Sequence, residues 1–243
     1  MLILAMDTTS EHGGVAVFRD RDCVASIAHE GAANAYSVAL FQMVDQVVAQ
    51  ARDSAAGGIR TQRDIELYAV ATGPGSFTGI RVGLAAAQAW ARVFNRPVRG
   101  VSVLEALVEA AEPETRNAVP LLNAYRGEFY IARFQRSTLA SGPRFLLEGE
   151  GHVLNPQAVR EFLAKDRITS EDVTCIARAH DQTAMALRES LPENLGWKSI
   201  SGTLLKAIAG IGYRAAQEGK LQAANELDAY YIRRLDAELK WKE

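Results

Sequence analysis

Three short β-like runs stand ahead of the first helical segment, and that order constrains the fold more than any other feature of the chain. Leu2–Met6 is a continuous apolar run closed by Asp7-Thr8-Thr9-Ser10, the pattern of a buried strand ending in a polar turn. Gly14–Phe18 and Cys23–His29 flank the charged turn Arg19-Asp20-Arg21-Asp22, a spacing that predicts an antiparallel hairpin. A helix over Asn34–Arg52, a strand over Glu66–Thr72 and a helix over Ser76–Asn95 with Ser76 as N-cap come next. A strand over Pro97–Val101 and a helix over Ser102–Glu112 complete the first half. The order βββαβαβα therefore predicts an α/β fold with a mixed sheet flanked by helices.

The polar stretch Glu112–Asn117 is the expected boundary between an N-terminal lobe, residues 1–112, and a smaller C-terminal lobe, residues 113–243. The second half echoes the first more loosely. Strands are expected at Ala118–Asn123, Glu128–Gln135, Arg144–Leu147 and Val173–Ala177. Asn155-Pro156 is a cap and first-turn pair for a helix running to Lys165. Further helices are expected over Asp181–Leu191 and Gly202–Glu218, with an extended tail at Ala229–Arg233.

A length of 243 residues accommodates two such lobes. The formal net charge of −2 argues against a chain whose main work is gripping nucleic acid, and leaves room for nucleic acid held by a partner. Cys23 and Cys175 are far apart, and the opening MLILAMD lacks the basic region of a signal peptide. The expectation is a cytoplasmic protein with reduced thiols and no membrane segment.

The stretch GPGSFTGIRVGLAAAQAWA, Gly73–Ala91, admits two readings. A glycine turn feeding a helix N-terminus is a generic anion site. Asp7, Thr8 and Thr9 at the end of the first strand, with Gly73 and Gly75, would then form a vestigial phosphate site, and Asp7 could help hold magnesium there. Against this, the P-loop pattern is absent, the third glycine of GxGxxG is missing and no lysine is near. The other reading is a tight turn and a packing surface, with Asp7 satisfying its own turn. Gly79, Gly83 and Ala87 recur every four residues, and each glycine costs ~1 kcal/mol relative to alanine inside a helix. Close approach of another backbone would offset that cost.

The helix over Gly73–Ala91 and its predecessor are unusually poor in charge. Gly31–Ala51 carries only Asp45 and Gly73–Ala91 only Arg81, in a chain that is 23% charged. Apolar residues cover more than one face of each. One reading is an obligate helix–helix interface built from Tyr36, Leu40, Phe41, Val44, Val47 and Val48 on the first helix, and Val82, Ala86, Ala89 and Val93 on the second. The alternative is that the second lobe covers both helices.

No pattern for catalysis stands out. His12, His29, His152 and His180 show no HxxxH or HExxH spacing, there is no cysteine cluster, and GxSxG is absent. No metal site and no cofactor are expected. Arg126 and Glu128 stand at a turn tip and could bind something.

Several strings together resemble one family: ILAMDTTSEHGGVAVF at the start, ATGPGSFTGIRVGLAAAQAWA, YRGEFY at Tyr125–Tyr130, and the tail YYIRR. They are similar to the bacterial TsaB family, the dimerisation subunit of the complex that makes threonylcarbamoyladenosine in tRNA, next to the anticodon. The resemblance is dense over Leu2–Ser102 and thin over Leu139–Gly219. It implies a two-lobed actin/Hsp70/sugar-kinase-like (ribonuclease H-like) fold and a non-catalytic role. It also implies pairing with a TsaD-type catalytic paralogue through the two N-terminal helices, an additional TsaE-type ATPase, homodimers in isolation, and tRNA reached only through the complex. This chain departs from the family pattern at Tyr36, usually histidine, at Asn123, usually acidic, and at Ala229, usually proline. The rival from another class is an ATP-binding phosphotransferase or ATPase of the same fold, with the phosphates at Asp7, Thr8, Thr9 and the Gly73–Gly75 turn.

Overall fold

The first sheet contains β1 (Leu2–Asp7), β2 (Gly14–Arg19), β3 (Asp22–Ala28), β4 (Leu67–Gly73) and β5 (Val98–Ser102). In the computed structural model, which describes residues 1–29, 31, 35–54, 58–139, 142–164 and 172–232, the strand order is β3-β2-β1-β4-β5. The hairpin pairs are antiparallel, and the helix-linked pairs β1/β4 and β4/β5 are parallel. The mixed sheet is the one the element order demanded.

The second sheet repeats this plan. Its strands are β6 (Asn117–Asn123), β7 (Phe129–Leu139), β8 (Gly142–Leu154), β9 (Val173–Arg178) and β10 (Gly196–Ile200), ordered β10-β9-β6-β7-β8. Read from β8 it is the same sequence of pairings: two antiparallel, then two parallel. The helices occupy equivalent places in the chain: α1 (Tyr36–Asp53), α2 (Phe77–Phe94) and α3 (Val103–Ala111) in the first half, and α4 (Pro156–Ala164), α5 (Gln182–Arg188) and α6 (Leu205–Gln217) in the second. The caps read from sequence form. Ser76 Oγ accepts from Gly79 N at 3.3 Å and Asn155 Oδ1 from Ala158 N at 2.9 Å. Asp181, expected only as the start of a helix, also caps it: its Oδ1 accepts from Ala184 N at 3.1 Å.

Contacts divide the chain into two compact units. One is Met1–Ala106 with Gly202–Tyr230, and the body of the other is Leu107–Ser201. The sequence boundary at Glu112 assigned the last helix to the second lobe, whereas α6 packs on β1, β4 and β5. The cause is its buried face, which includes Leu205, Ile208, Ile211 and Gly212. A Cβ on Gly212 would lie only 3.0 Å from Ala69 Cβ, so helix and sheet meet closely there.

Side-chain alternation along β1 sorts the first unit into layers. Leu2, Leu4 and Met6 join the core cluster with α1 and α2, and the intervening Ile3 and Ala5 are buried on the other side. A strap, Leu221–Tyr230, closes the β5 edge. Val98 and Gln222 exchange backbone bonds at 3.0 and 2.9 Å, and Tyr230 N donates to Thr72 O at 2.9 Å. Gln222 Oε1 accepts from Gly100 N at 2.9 Å, and Gln88 Nε2 donates to Leu227 O at 2.8 Å. Part of the expected tail, Arg233, lies outside the described residues, as do Asn34 and Lys165, the expected first residue of one helix and last residue of another. The second unit has its own core, in which Val119, Leu121, Phe129, Ile131 and Cys175 meet Val159 and Leu187.

Candidate functional site

β1 delivers Asp7, Thr8 and Thr9 to the C-terminal edge of the parallel strands, and all three are buried. Asp7 Oδ1 accepts from Thr9 N at 3.0 Å and from Thr9 Oγ1 at 2.6 Å. One carboxylate oxygen thus closes the local turn that short polar side chains favour. Asp7 Oδ2 is buried and has no hydrogen-bond partner among the described residues, and the Tyr36 hydroxyl is buried beside the backbone of Gly13. Burial, and then the charge of Asp7, raise the Tyr36 phenol above its ordinary value.

The Gly73–Gly75 turn is folded onto this corner. Gly73 and Gly75 have φ of +106° and +158°, conformations open to glycine. Ser76 N donates to Thr9 O at 2.7 Å, and Thr8 Oγ1 donates to Gly79 O at 2.7 Å. A Cβ on Gly75 would come within 2.5 Å of Thr9 O, and Cβ atoms on Gly79 and Gly83 would overlap Thr8. The recurring glycines thus admit the backbone of β1's own turn. Thr8 and Thr9 occupy the ground directly beside the start of α2, and Gly79 N is taken by the Ser76 cap. The arrangement packs the turn after β1 directly against the start of α2. Among the described residues, no three His, Cys, Asp or Glu side chains converge as metal ligands.

The helix face divides differently from the sequence reading. Tyr36, Leu40, Val44, Val47, Val48 and Ala86 are buried in the chain's own core, and Val82 is half-buried. The apolar arc of α1 is mostly the face that rests on β2 and β3, since a wheel cannot tell a sheet below from a subunit above. Phe41, Ala89 and Val93 do reach solvent. Among the described residues eight large hydrophobics are exposed, and four of them, Val38, Phe41, Phe77 and Val93, stand on these two adjoining helices.

Val38 and Phe77 were not among the ten expected residues. The signal for Phe77 was present as the first residue of the fourfold stripe Phe77, Arg81, Ala85, Ala89, Val93, all exposed. Arg81 lies over the Phe77 ring, 3.7 Å from its centroid, and Phe41 meets Trp90 edge-on at 5.4 Å. The stripe turns by about 40° every four residues, so it forms a ribbon that winds around α2 from Phe77 to Val93, with apolar, aromatic and arginine side chains of the kind found in protein–protein contacts. Elsewhere, Tyr125 and Arg126 at the YRGEFY turn have positive φ.

A duplicated five-stranded mixed sheet with helical crossovers defines the two-lobed actin-like class, and the solved structure titled "YeaZ from Pseudomonas aeruginosa" shares the fold, with a TM-score of 0.73 at 23% identity over 95% of this chain and 99% of that one. The family model described as "TsaD: tRNA N6-adenosine threonylcarbamoyltransferase" matches residues 27–145. The tRNA threonylcarbamoyladenosine biosynthesis protein TsaB of Escherichia coli is 30% identical over 177 residues, 72% of this chain and 70% of that protein. The TsaB protein of Bacillus subtilis is 26% identical over 100% of this chain and 99% of its own length. The Buchnera aphidicola TsaB protein is 28% identical over 56% of this chain and 61% of its own length. The chain belongs to the TsaB family.

Proposed function

We propose that the chain is a non-catalytic scaffold in the formation of threonylcarbamoyladenosine in tRNA, and that it binds and activates a TsaD-type catalytic subunit. The observation that carries this reading is the exposed apolar ribbon Val38, Phe41, Phe77, Val93 on two helices in contact. A lone molecule leaves that surface in water; a second body of similar shape covers it. The match of residues 27–145 to a TsaD model supports a paralogue as that body, since related chains can pair pseudo-symmetrically. In isolation the same ribbon pairs with a second copy. A TsaE-type ATPase joins the assembly, tRNA is reached through it, and the setting is the cytoplasm. No cofactor is required of this chain.

The rival ATPase reading draws on the orphaned oxygen of Asp7. Calorimetry with ATP and magnesium on the pure protein separates the two, because saturable binding with turnover favours the rival. Phe41→Asp and Val93→Asp, read by sedimentation and by pull-down with the TsaD-type protein, test the scaffold. The expected result is loss of both associations with the fold retained, while Leu146→Asp in the second unit leaves them intact. Unchanged sedimentation and pull-down for both ribbon variants would refute the assignment.

A further inference from the structure

At the opposite end of the parallel strands from Asp7, an open groove of about 700 Å³ separates the end of α2 from the strap. Arg92, Asn95 and Arg96 line one wall, and Gln222 and Asn225 the other. Arg96 Nη2 donates to Arg63 O at 3.2 Å, which brings the segment before β4 to the same corner. Arg60, Arg63 and Arg92 are exposed. Arg96 Nε is buried and has no hydrogen-bond partner among the described residues.

Two carboxylates at this corner hold backbone N–H groups and keep their charge. Asp64 Oδ2 accepts from Arg60 N and Thr61 N at 2.7 and 2.9 Å; those bonds, and then the charges of Arg60 and Arg96, lower its titration below the usual carboxylate range. Glu226 Oε2 accepts from Ala223 N at 2.8 Å. The guanidinium groups of Arg60, Arg63, Arg92 and Arg96 thus outnumber Asp64 and Glu226 at this corner of a chain whose formal net charge is −2. Guanidinium forks suit phosphate oxygens.

We propose that this corner is a docking site for the phosphodiester backbone of RNA. The groove is open along one side, which suits a passing strand, and among the described residues no aromatic side chain lines it to stack a base. It would position a nucleic acid without reading its sequence. The acidic balance of the whole chain keeps the contact auxiliary to a stronger grip elsewhere in an assembly. The choice of RNA over another polyanion rests on the proposed role in tRNA modification.

The test is fluorescence anisotropy of a labelled tRNA anticodon stem–loop titrated with the full chain over a range of salt. The variants are Arg63→Glu and Arg92→Glu, with Arg21→Glu, at the turn on the far edge of the sheet, as the charge control. Each groove variant should weaken binding and reduce the slope of log affinity against log salt by about 1, while Arg21→Glu stays near wild type. Identical isotherms for wild type and both groove variants would overturn the proposal, as would an equal loss in Arg21→Glu. Inorganic phosphate and ATP form the competing arms: saturation by either with no binding of the stem–loop overturns the RNA assignment. Sedimentation of the same variants reports self-association through the helix ribbon, so failure of that reading is seen separately. Circular dichroism confirms that each variant is folded.

Discussion

Thr8 and Gly79 are joined back to back: the Thr8 hydroxyl donates to the Gly79 carbonyl at 2.7 Å, and a Cβ on Gly79 would overlap the Thr8 carbonyl oxygen. Helix propensity alone says that Gly79→Ala should stabilise by about 1 kcal/mol. The contact reverses the sign. The neighbour is backbone inside a buried turn, so relief requires moving β1 or α2, and overpacking of this kind costs about 1–3 kcal/mol. Urea unfolding should show a lower midpoint for Gly79→Ala, with a smaller loss for Gly83→Ala, whose Cβ would meet the Thr8 side-chain oxygen. A midpoint at or above wild type for Gly79→Ala would show that the joint yields freely.

Val48 and Val93 look alike on a helical wheel and should behave oppositely. Val48 is 9% exposed and Val93 is 74% exposed. Val48→Glu places a charge against the sheet and should cost about 3 kcal/mol or more, seen as a large fall in Tm. Val93→Asp should shift stability by no more than about 0.5 kcal/mol. Thermal melts of the two variants check this before any partner assay is interpreted.

The strap is held by side-chain amides. Gln222→Ala leaves Gly100 N without its acceptor, and Gln88→Ala leaves Leu227 O without its donor. Each should destabilise by about 1–3 kcal/mol if the bared group stays dry, and by less if water reaches it. Urea midpoints give the size, and hydrogen exchange at Gly100 N–H should accelerate in Gln222→Ala.

Much of the fold was legible because periodicity and caps are local. The hairpin ahead of α1, the alternation to helices and the caps at Ser76 and Asn155 all followed from short windows. Gly196–Ile200 was not read as a strand, since its GWKSI composition alternates weakly and its pairing with β9 is non-local. The placement of α6 was illegible for a related reason: an amphipathic helix announces that it has a buried face, never which sheet buries it. The helix ribbon was half legible. Low charge marked the right two helices, but six of the ten named residues face inward. The glycine stripe predicted a close backbone approach; that the approaching backbone was Thr8 of the same chain required the tertiary structure.

The last expectation concerns alkaline pH. Burial pushes the Cys175 thiol up to about 12, and burial also raises the phenols of Tyr36 and Tyr68 above their ordinary 10.0. In each case the folded chain holds its proton more tightly than the unfolded chain. The associated stability is therefore complete below the unfolded values, 9.0 for the thiol and 10.0 for the phenols, and is lost as pH rises towards the folded ones. Stability should be level from pH 7 to about 9, then fall, with Cys175 alone contributing a slope of up to about 1.4 kcal/mol per pH unit. Urea midpoints at pH 7.5, 9 and 11 measure this, and Cys175→Ala should flatten the first part of the decline. The same burial predicts a thiol count. Cys23 is exposed and Cys175 buried, so a thiol-specific reagent at pH 8 should label one cysteine in the native chain and both in denaturant. Native labelling of both, or a midpoint that holds constant from pH 9 to 11, would show that the second-unit core opens more readily than its packing implies.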